Sequence, residues 1–219
     1  MNDSADYPLY LFAKVPEPGQ VKTRMQPELS PGQCAALAEM MLEDSMAKVA
    51  ATWSGRRVLA VLPKPNHPLM EDLAQRYGFS LQPQEGGDLG ERMANALSAG
   101  MKTFGGALVL GCDVPHLPPS LLVTAYQSMV RGHNVIGPAE DGGFYLLGLC
   151  GRNHVLPSRM FLDVAWGGSE VFATVMGNAL IQGVELAELE LLSDVDNYAD
   201  LAAVAEEMEG YRQFLTADG

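Results

Sequence analysis

Four short segments concentrate the residue types that bind phosphate, hold divalent cations or move protons. In the first, Lys14, Lys22, Thr23 and Arg24 supply cationic and hydroxyl donors, while Pro16, Pro18 and Gly19 stiffen and turn the backbone between them. Close backbone approach, a lysine point charge and an arginine fork together make a phosphate site. The segment lacks the GxxxxGK pattern of a Walker loop, and a solvated surface loop is the alternative. In the second, Asp113 follows an apolar run in Cys112-Asp113-Val114-Pro115. A carboxylate there suits Mg2+ or Mn2+, hard cations that take one or two carboxylates plus phosphate oxygens. An Asp before a proline also turns a chain without any ligand.

The third segment is Ser193-Asp194-Val195-Asp196-Asn197. Taken as alternating across an extended strand, Asp194 and Asp196 are expected to give only one carboxylate to a shared metal. The fourth is Glu140-Asp141-Gly142-Gly143, where Gly142 and Gly143 permit close approach to an acceptor and a carboxylate is placed to take a proton from its hydroxyl. A plain turn explains those glycines equally well. Trp166, in a glycine-flanked loop, offers a stacking surface for a sugar or base, or else packs. His67, His116, His133 and His154 are scattered without ligand spacing, and no nucleophile elbow or Ser-His-acid group is present.

The elements that must position these segments are legible in the hydrophobic pattern. Apolar, β-rich runs at residues 7–13, 58–62, 79–81, 107–111, 134–137, 144–149 and 185–191 alternate with helical patterns at 31–45, 69–77, 89–101, 118–129, 169–180 and 198–214. Ser30-Pro31-Gly32-Gln33 reads as a capping box, and Asn197 as the cap of the last helix. Such alternation predicts one α/β domain over residues 1–219, with a mainly parallel sheet and helices on both faces. Ligands of such sheets lie beyond the carboxyl ends of the strands, where all four segments fall.

Composition narrows the partners. The chain has 219 residues and a formal net charge of −13, which repels nucleic acid and anionic membrane surfaces. Residues 184–211 carry acids and no Lys or Arg, so the cations of residues 14–24 are a local anomaly that points to a small anionic ligand. Three widely spaced cysteines, Cys34, Cys112 and Cys150, form neither a disulfide framework nor a zinc pattern. No apolar run approaches the roughly 20 residues of a membrane span, and the acidic first residues lack the apolar stretch of an export signal. A cytoplasmic protein is expected; its oligomeric state is not legible.

Six ordered motifs carry a resemblance. Leu11-Phe-Ala-Lys14, Pro18-Gly-Gln-Val-Lys-Thr-Arg24, Gly87-Asp-Leu-Gly-Glu-Arg92, Gly111-Cys-Asp-Val-Pro115, Gly137-Pro-Ala-Glu-Asp-Gly-Gly-Phe-Tyr145 and Asp194-Val-Asp196 resemble the bacterial nucleotide-diphospho-sugar transferases of the arsenosugar-biosynthesis type. The resemblance implies a GT-A-like fold and a metal-dependent transferase that moves a sugar from a nucleotide diphosphate donor to a small acceptor. It implies nucleotide contacts at Lys14, Gly19, Lys22, Thr23, Arg24, Gln84, Asp88 and Gly90, and a metal, Mg2+ or Mn2+, on Asp113 and Asp196. Asp141 is then the acceptor base if the reaction inverts, with Gly142, Gly143 and Trp166 beside the acceptor. The nucleotidyltransferases of the same superfamily have a first loop similar to Lys22-Thr-Arg-Met-Gln-Pro27, and Asp113 stands alone where many glycosyltransferases carry DxD. Transfer of a nucleotidyl group from an NTP, with release of pyrophosphate, is therefore the second reading, and a catalytically silent nucleotide binder the third.

Overall fold

The structure, a computed structural model, describes residues 6–26, 28–151 and 155–215; Pro27, His154 and the acidic first residues lie outside them. Side-chain alternation explains its centre. In β1 (Leu9–Lys14), Leu9, Leu11 and Ala13 turn to one face while Tyr10 and Phe12 turn to the other; in β4 (Gly106–Gly111), Leu108 and Leu110 divide from Ala107 and Val109 likewise. Both faces are apolar, so both must be covered. α1 (Pro31–Thr52), α2 (Pro68–Tyr77) and α4 (Pro119–Val130) close the face carrying Leu9. α3 (Leu89–Phe104), the short α5 (Pro157–Met160) and α6 (Val171–Ile181) close the face carrying Tyr10. A third cluster packs Met25, Leu29 and the start of α1 against α7 (Tyr198–Glu207) and Tyr211.

β2 (Arg57–Leu62), β3 (Ser80–Pro83), β5 (Asn134–Pro138), β6 (Phe144–Cys150) and β7 (Leu186–Glu188) complete a seven-stranded sheet of order β3-β2-β1-β4-β6-β5-β7. β1 pairs in parallel with both β2 and β4, and only β6 runs antiparallel to its neighbours. The mainly parallel α/β sheet with helices on both faces is thus the architecture expected from the pattern. Chain order reverses on the two sides of β1, which opens a crevice at the carboxyl ends of β1 and β4. Phe12 is level with Gly111, so Lys14 and Asp113 leave the sheet at the same height.

Three elements depart from the sequence pattern. The last helix ends at Glu207, because Met208 adopts an extended conformation and the chain resumes as a 3-10 turn, Glu209–Phe214. The expected strand 185–191 shrinks to Leu186–Glu188, with a single further bridge from Leu192 to Ala139. α5, four residues long, is too short for helical periodicity to reveal. The Ser30 capping box forms as read, with Ser30 accepting from the Gln33 amide and the Gln33 side chain accepting from the Ser30 amide.

Candidate functional site

A cavity of about 590 Å³ lies over the carboxyl ends of β1 and β4. Its cationic side is built by the loop after β1. Gly19 turns that loop at φ 77°, and Lys22 takes a left-handed conformation at φ 49° to start the 3-10 turn Thr23–Met25. Met25, fully buried, anchors the turn in the third apolar cluster. Lys22 then reaches into the crevice with only 8% of its side chain exposed, joins its ammonium to the Asp113 carboxylate and donates to the Val195 carbonyl at 2.7 Å. Burial opposes the charge on Lys22, but Asp113, with Asp196, outweighs it and holds the ammonium above its ordinary pKa. Arg24 pairs with Asp196 at 2.9 Å from an exposed position. Lys14 and Thr23 line the cavity, and the Lys14 ammonium has no partner among the described residues.

The anionic side comes from three loops. Asp113 follows β4, and its backbone carbonyl accepts from the Val195 amide at 2.9 Å, which docks residues 193–197 onto the end of that strand. Asp141 sits in a tight turn: Gly143 donates to its Oδ1 at 2.7 Å, and Gly142, at φ 86°, lets the turn pass so close that a Cβ there would lie 2.0 Å from the Ser169 carbonyl. Glu140 instead accepts from Ser193 at 2.6 Å. Asp200 accepts from the Asp196 and Asn197 amides, each at 2.9 Å, and fixes the approach to α7. The carboxylates of Asp141, Asp194 and Asp196 thereby bring one oxygen each to within 4.8 Å of one another. Burial, together with Asp141 and Asp196, pushes the Asp194 carboxyl up to about 6. Burial likewise pushes the Cys112 thiol up to about 12, which leaves it un-ionised.

This arrangement corrects one expectation. Asp194 and Asp196 both face the shared point, because an extended backbone returns every second side chain to the same side, and Val195 between them is buried in the core. Asp113 is not one of the clustered three: its Oδ1 is taken by Lys22, although its side chain stays 49% exposed and its Oδ2 is unengaged among the described residues. An all-carboxylate donor set with an unbalanced, half-buried member fits a hard divalent cation. Asp141, Asp194 and Asp196 thus offer a carboxylate cluster that shares Asp196 with the expected pair Asp113 and Asp196.

The remaining expected residues divide into walls and frame. Gln84 lines the cavity and donates from Nε2 to the Ala13 and Ala60 carbonyls at 3.1 and 2.8 Å. Gly143 and Trp166 also line it. Asp88, Gly90, Gly19 and Gly142 are not among the lining residues. Asp88 caps α3 by accepting from the Glu91 amide at 2.8 Å, and Gly90 lets α3 pass Phe161 and Trp166, since a Cβ there would lie 2.9 Å from each. Phe12, Arg92, Met93 and Phe144 line the cavity as well. Phe12, Met93 and Phe144 were missed because apolar residues in strands and helices read as core, whereas Arg92 stood in one of the six motifs with no role assigned to it.

Comparison with known proteins places this geometry. Residues 45–168 match the model of a family described as an uncharacterized protein conserved in bacteria, DUF2064. No curated protein matches. Among solved structures, a protein from Desulfovibrio desulfuricans G20, provisionally assigned as a nucleotide-diphospho-sugar transferase, is 26% identical, with 96% of this chain and 98% of that one covered and a TM-score of 0.81. The CMP:2-keto-3-deoxy-manno-octonic acid synthetase complexed with CTP is 12% identical over 93% of this chain and 99% of that one, TM-score 0.56. Rv0371c of Mycobacterium tuberculosis H37Rv, in complex with manganese, is 11% identical over 92% and 100%, TM-score 0.56. The last two share the fold; the first matches the resemblance carried by the six motifs.

Proposed function

The chain belongs to the DUF2064 family, and on that footing we propose that it is a metal-dependent transferase that moves a sugar from a nucleotide diphosphate donor to a small hydroxylated acceptor. One observation carries this reading: a buried Lys22, 3.8 Å from Asp196, and a partner-free Lys14 line a single cavity together with three clustered carboxylates. A diphosphate needs cations on both sides, and the chain supplies one set directly and a seat for the other. The likeness to the protein assigned as a nucleotide-diphospho-sugar transferase supports the same reading.

Asp194 and Asp196, with Asp141 in reach, hold the divalent metal, Mg2+ or Mn2+, which when bound stabilises charge on the leaving diphosphate. Lys14, Lys22 and Arg24 add donors to the phosphate oxygens, and Asp113 positions the Lys22 ammonium. Gln84, with its amide nitrogen tied to the sheet, presents Oε1 to the nucleotide. Asp141 is the exposed member of the three and adjoins Gly143, so it takes the acceptor hydroxyl proton if the configuration inverts. Asp141→Asn is then expected to lower kcat at least a hundredfold while Mn2+ affinity falls far less. Asp194→Asn is expected to weaken Mn2+ binding itself.

Nucleotidyl transfer from an NTP is the second reading, favoured by the Thr23–Met25 turn and the lone Asp113, and by a fold shared with a synthetase that holds CTP. Incubation with a panel of NTPs and UDP-, GDP-, ADP- and dTDP-sugars in the presence of Mn2+, followed by thermal shift and mass spectrometry, separates the two. Release of nucleoside diphosphate from a sugar donor is expected. Stabilisation by NTPs alone, with pyrophosphate released, overturns the glycosyl-transfer reading.

A further inference from the structure

We infer that Arg24 couples the nucleotide's phosphates to the divalent metal: in the free protein it holds Asp196, and on passing to phosphate it releases Asp196 to the metal. This rests on the transferase reading above, in which one cavity takes both a nucleotide diphosphate and a metal. Asp196 belongs to the cluster with Asp141 and Asp194 and also to the expected pair with Asp113, so either metal seat draws on it. Of the three clustered carboxylates it alone is paired with cations among the described residues. Arg24 donates from Nη1 to its Oδ2 at 2.9 Å, and the Lys22 ammonium lies 3.8 Å from its Oδ1. Whichever oxygen a metal takes is therefore already beside a positive side chain, and like charges on one carboxylate repel.

The two cations differ in freedom. Lys22 is fixed: 8% of its side chain is exposed, its ammonium is joined to Asp113 and donates to the Val195 carbonyl, and Met25 roots the adjoining turn in the core. Arg24 is 67% exposed, and Asp196 is the one partner of its side chain among the described residues. An exposed pair of this kind is weak, and it uses one of the five N–H donors of a guanidinium. A phosphate takes two of those donors in parallel and, in a diphosphate, carries more charge than a carboxylate, so it draws the guanidinium away. Arg24 and Asp196 line the same cavity, and the exchange needs only a change of side-chain rotamer. The backbone beneath stays held, with the Asp196 amide on Asp200 and the Val195 amide on the Asp113 carbonyl. Without Arg24, Asp196 presents uncompensated charge beside Asp141 and Asp194, and the attraction of the cluster for a cation rises. By linkage, bound metal strengthens phosphate binding by the same factor.

The test titrates Mn2+ alone into the parent, Arg24→Met and Lys14→Met proteins, following free Mn2+ by electron paramagnetic resonance at physiological salt, where distant charges are screened. Arg24→Met, with Arg24→Gln as a second variant, is expected to bind Mn2+ about threefold more tightly than the parent. Lys14→Met removes a cavity cation that has no contact with Asp196 and is expected to change Mn2+ affinity less than about twofold. UDP, GDP, ADP and dTDP are then titrated by calorimetry without metal and with saturating Mn2+. The tightest of them is expected to bind Arg24→Met about tenfold more weakly than the parent without metal, and to gain about threefold less from Mn2+. A disturbed fold weakens both ligands, so tighter metal with weaker nucleotide separates this role from a structural one. Unchanged Mn2+ affinity in both Arg24 variants overturns the inference, as does an equal rise in Lys14→Met, which marks a general effect of charge. Failure of the parent to bind Mn2+, or to bind any of the four nucleotides, overturns instead the transferase reading, and the inference falls with it.

Discussion

Lys22 and Asp194 face opposite electrostatic problems in the same cavity. Lys22 is buried but has Asp113, Val195 and Asp196 as partners, so removing its charge leaves those acceptors unmatched. Because Asp113 remains half-exposed, Lys22→Met is expected to cost about 1–2 kcal/mol in urea unfolding, short of the penalty for a fully buried pair. Asp194 has no cation partner among the described residues and carries a carboxyl pushed up from 3.8 to about 6. Its folded pKa lies above the unfolded one, so the penalty on the charged form is complete above about 6 and fades as pH falls through that value toward 3.8. Metal-free Asp194→Asn is therefore expected to melt higher than the parent at pH 8, with the gap closing on acidification; a gap independent of pH would count against this account. Residue types and spacing made Lys22, Arg24, Asp113 and Asp141 legible as candidates. They did not make the Lys22–Asp113 pairing legible, because it joins residues 91 positions apart.

At the scale of elements, helix starts were readable and loop packing was not. Ser30, Asn197 and their partners at the third helical position are local signals, and each forms the cap its spacing implies. The turn carrying Asp141 is different. Gly142 allows it to abut residues 169–172, where Phe172 donates to the Gly142 carbonyl at 2.8 Å. The glycine signalled a turn, but what lay against it belonged to a distant segment. Gly142→Ala combines a positive φ with a Cβ 2.0 Å from a backbone oxygen, so the two loops must separate. A loss of about 2–4 kcal/mol is expected by chemical denaturation, with weaker Mn2+ binding because Asp141 moves with the turn. Unchanged Mn2+ affinity would show that Asp141 is not part of the metal seat.

Across the whole molecule, a net charge of −13 works against compaction. Raising ionic strength from low to physiological should therefore raise the Tm of the metal-free protein by screening that repulsion. Mn2+ should raise it further in the parent and not in an Asp194→Asn, Asp196→Asn double variant, a comparison that calorimetry makes directly. The sequence by itself determined the alternation of strands and helices, the mainly parallel sheet covered on both faces, and the strand ends as the place for chemistry. These follow from hydrophobic period and local capping, which act over a few residues. Only the tertiary structure decided that Asp194 joins Asp141 and Asp196, that Lys22 occupies Asp113, and that the Asp141 turn abuts residues 169–172. Each of those depends on which loops meet above the sheet, and that is fixed by strand order and by helix packing between segments far apart in the chain.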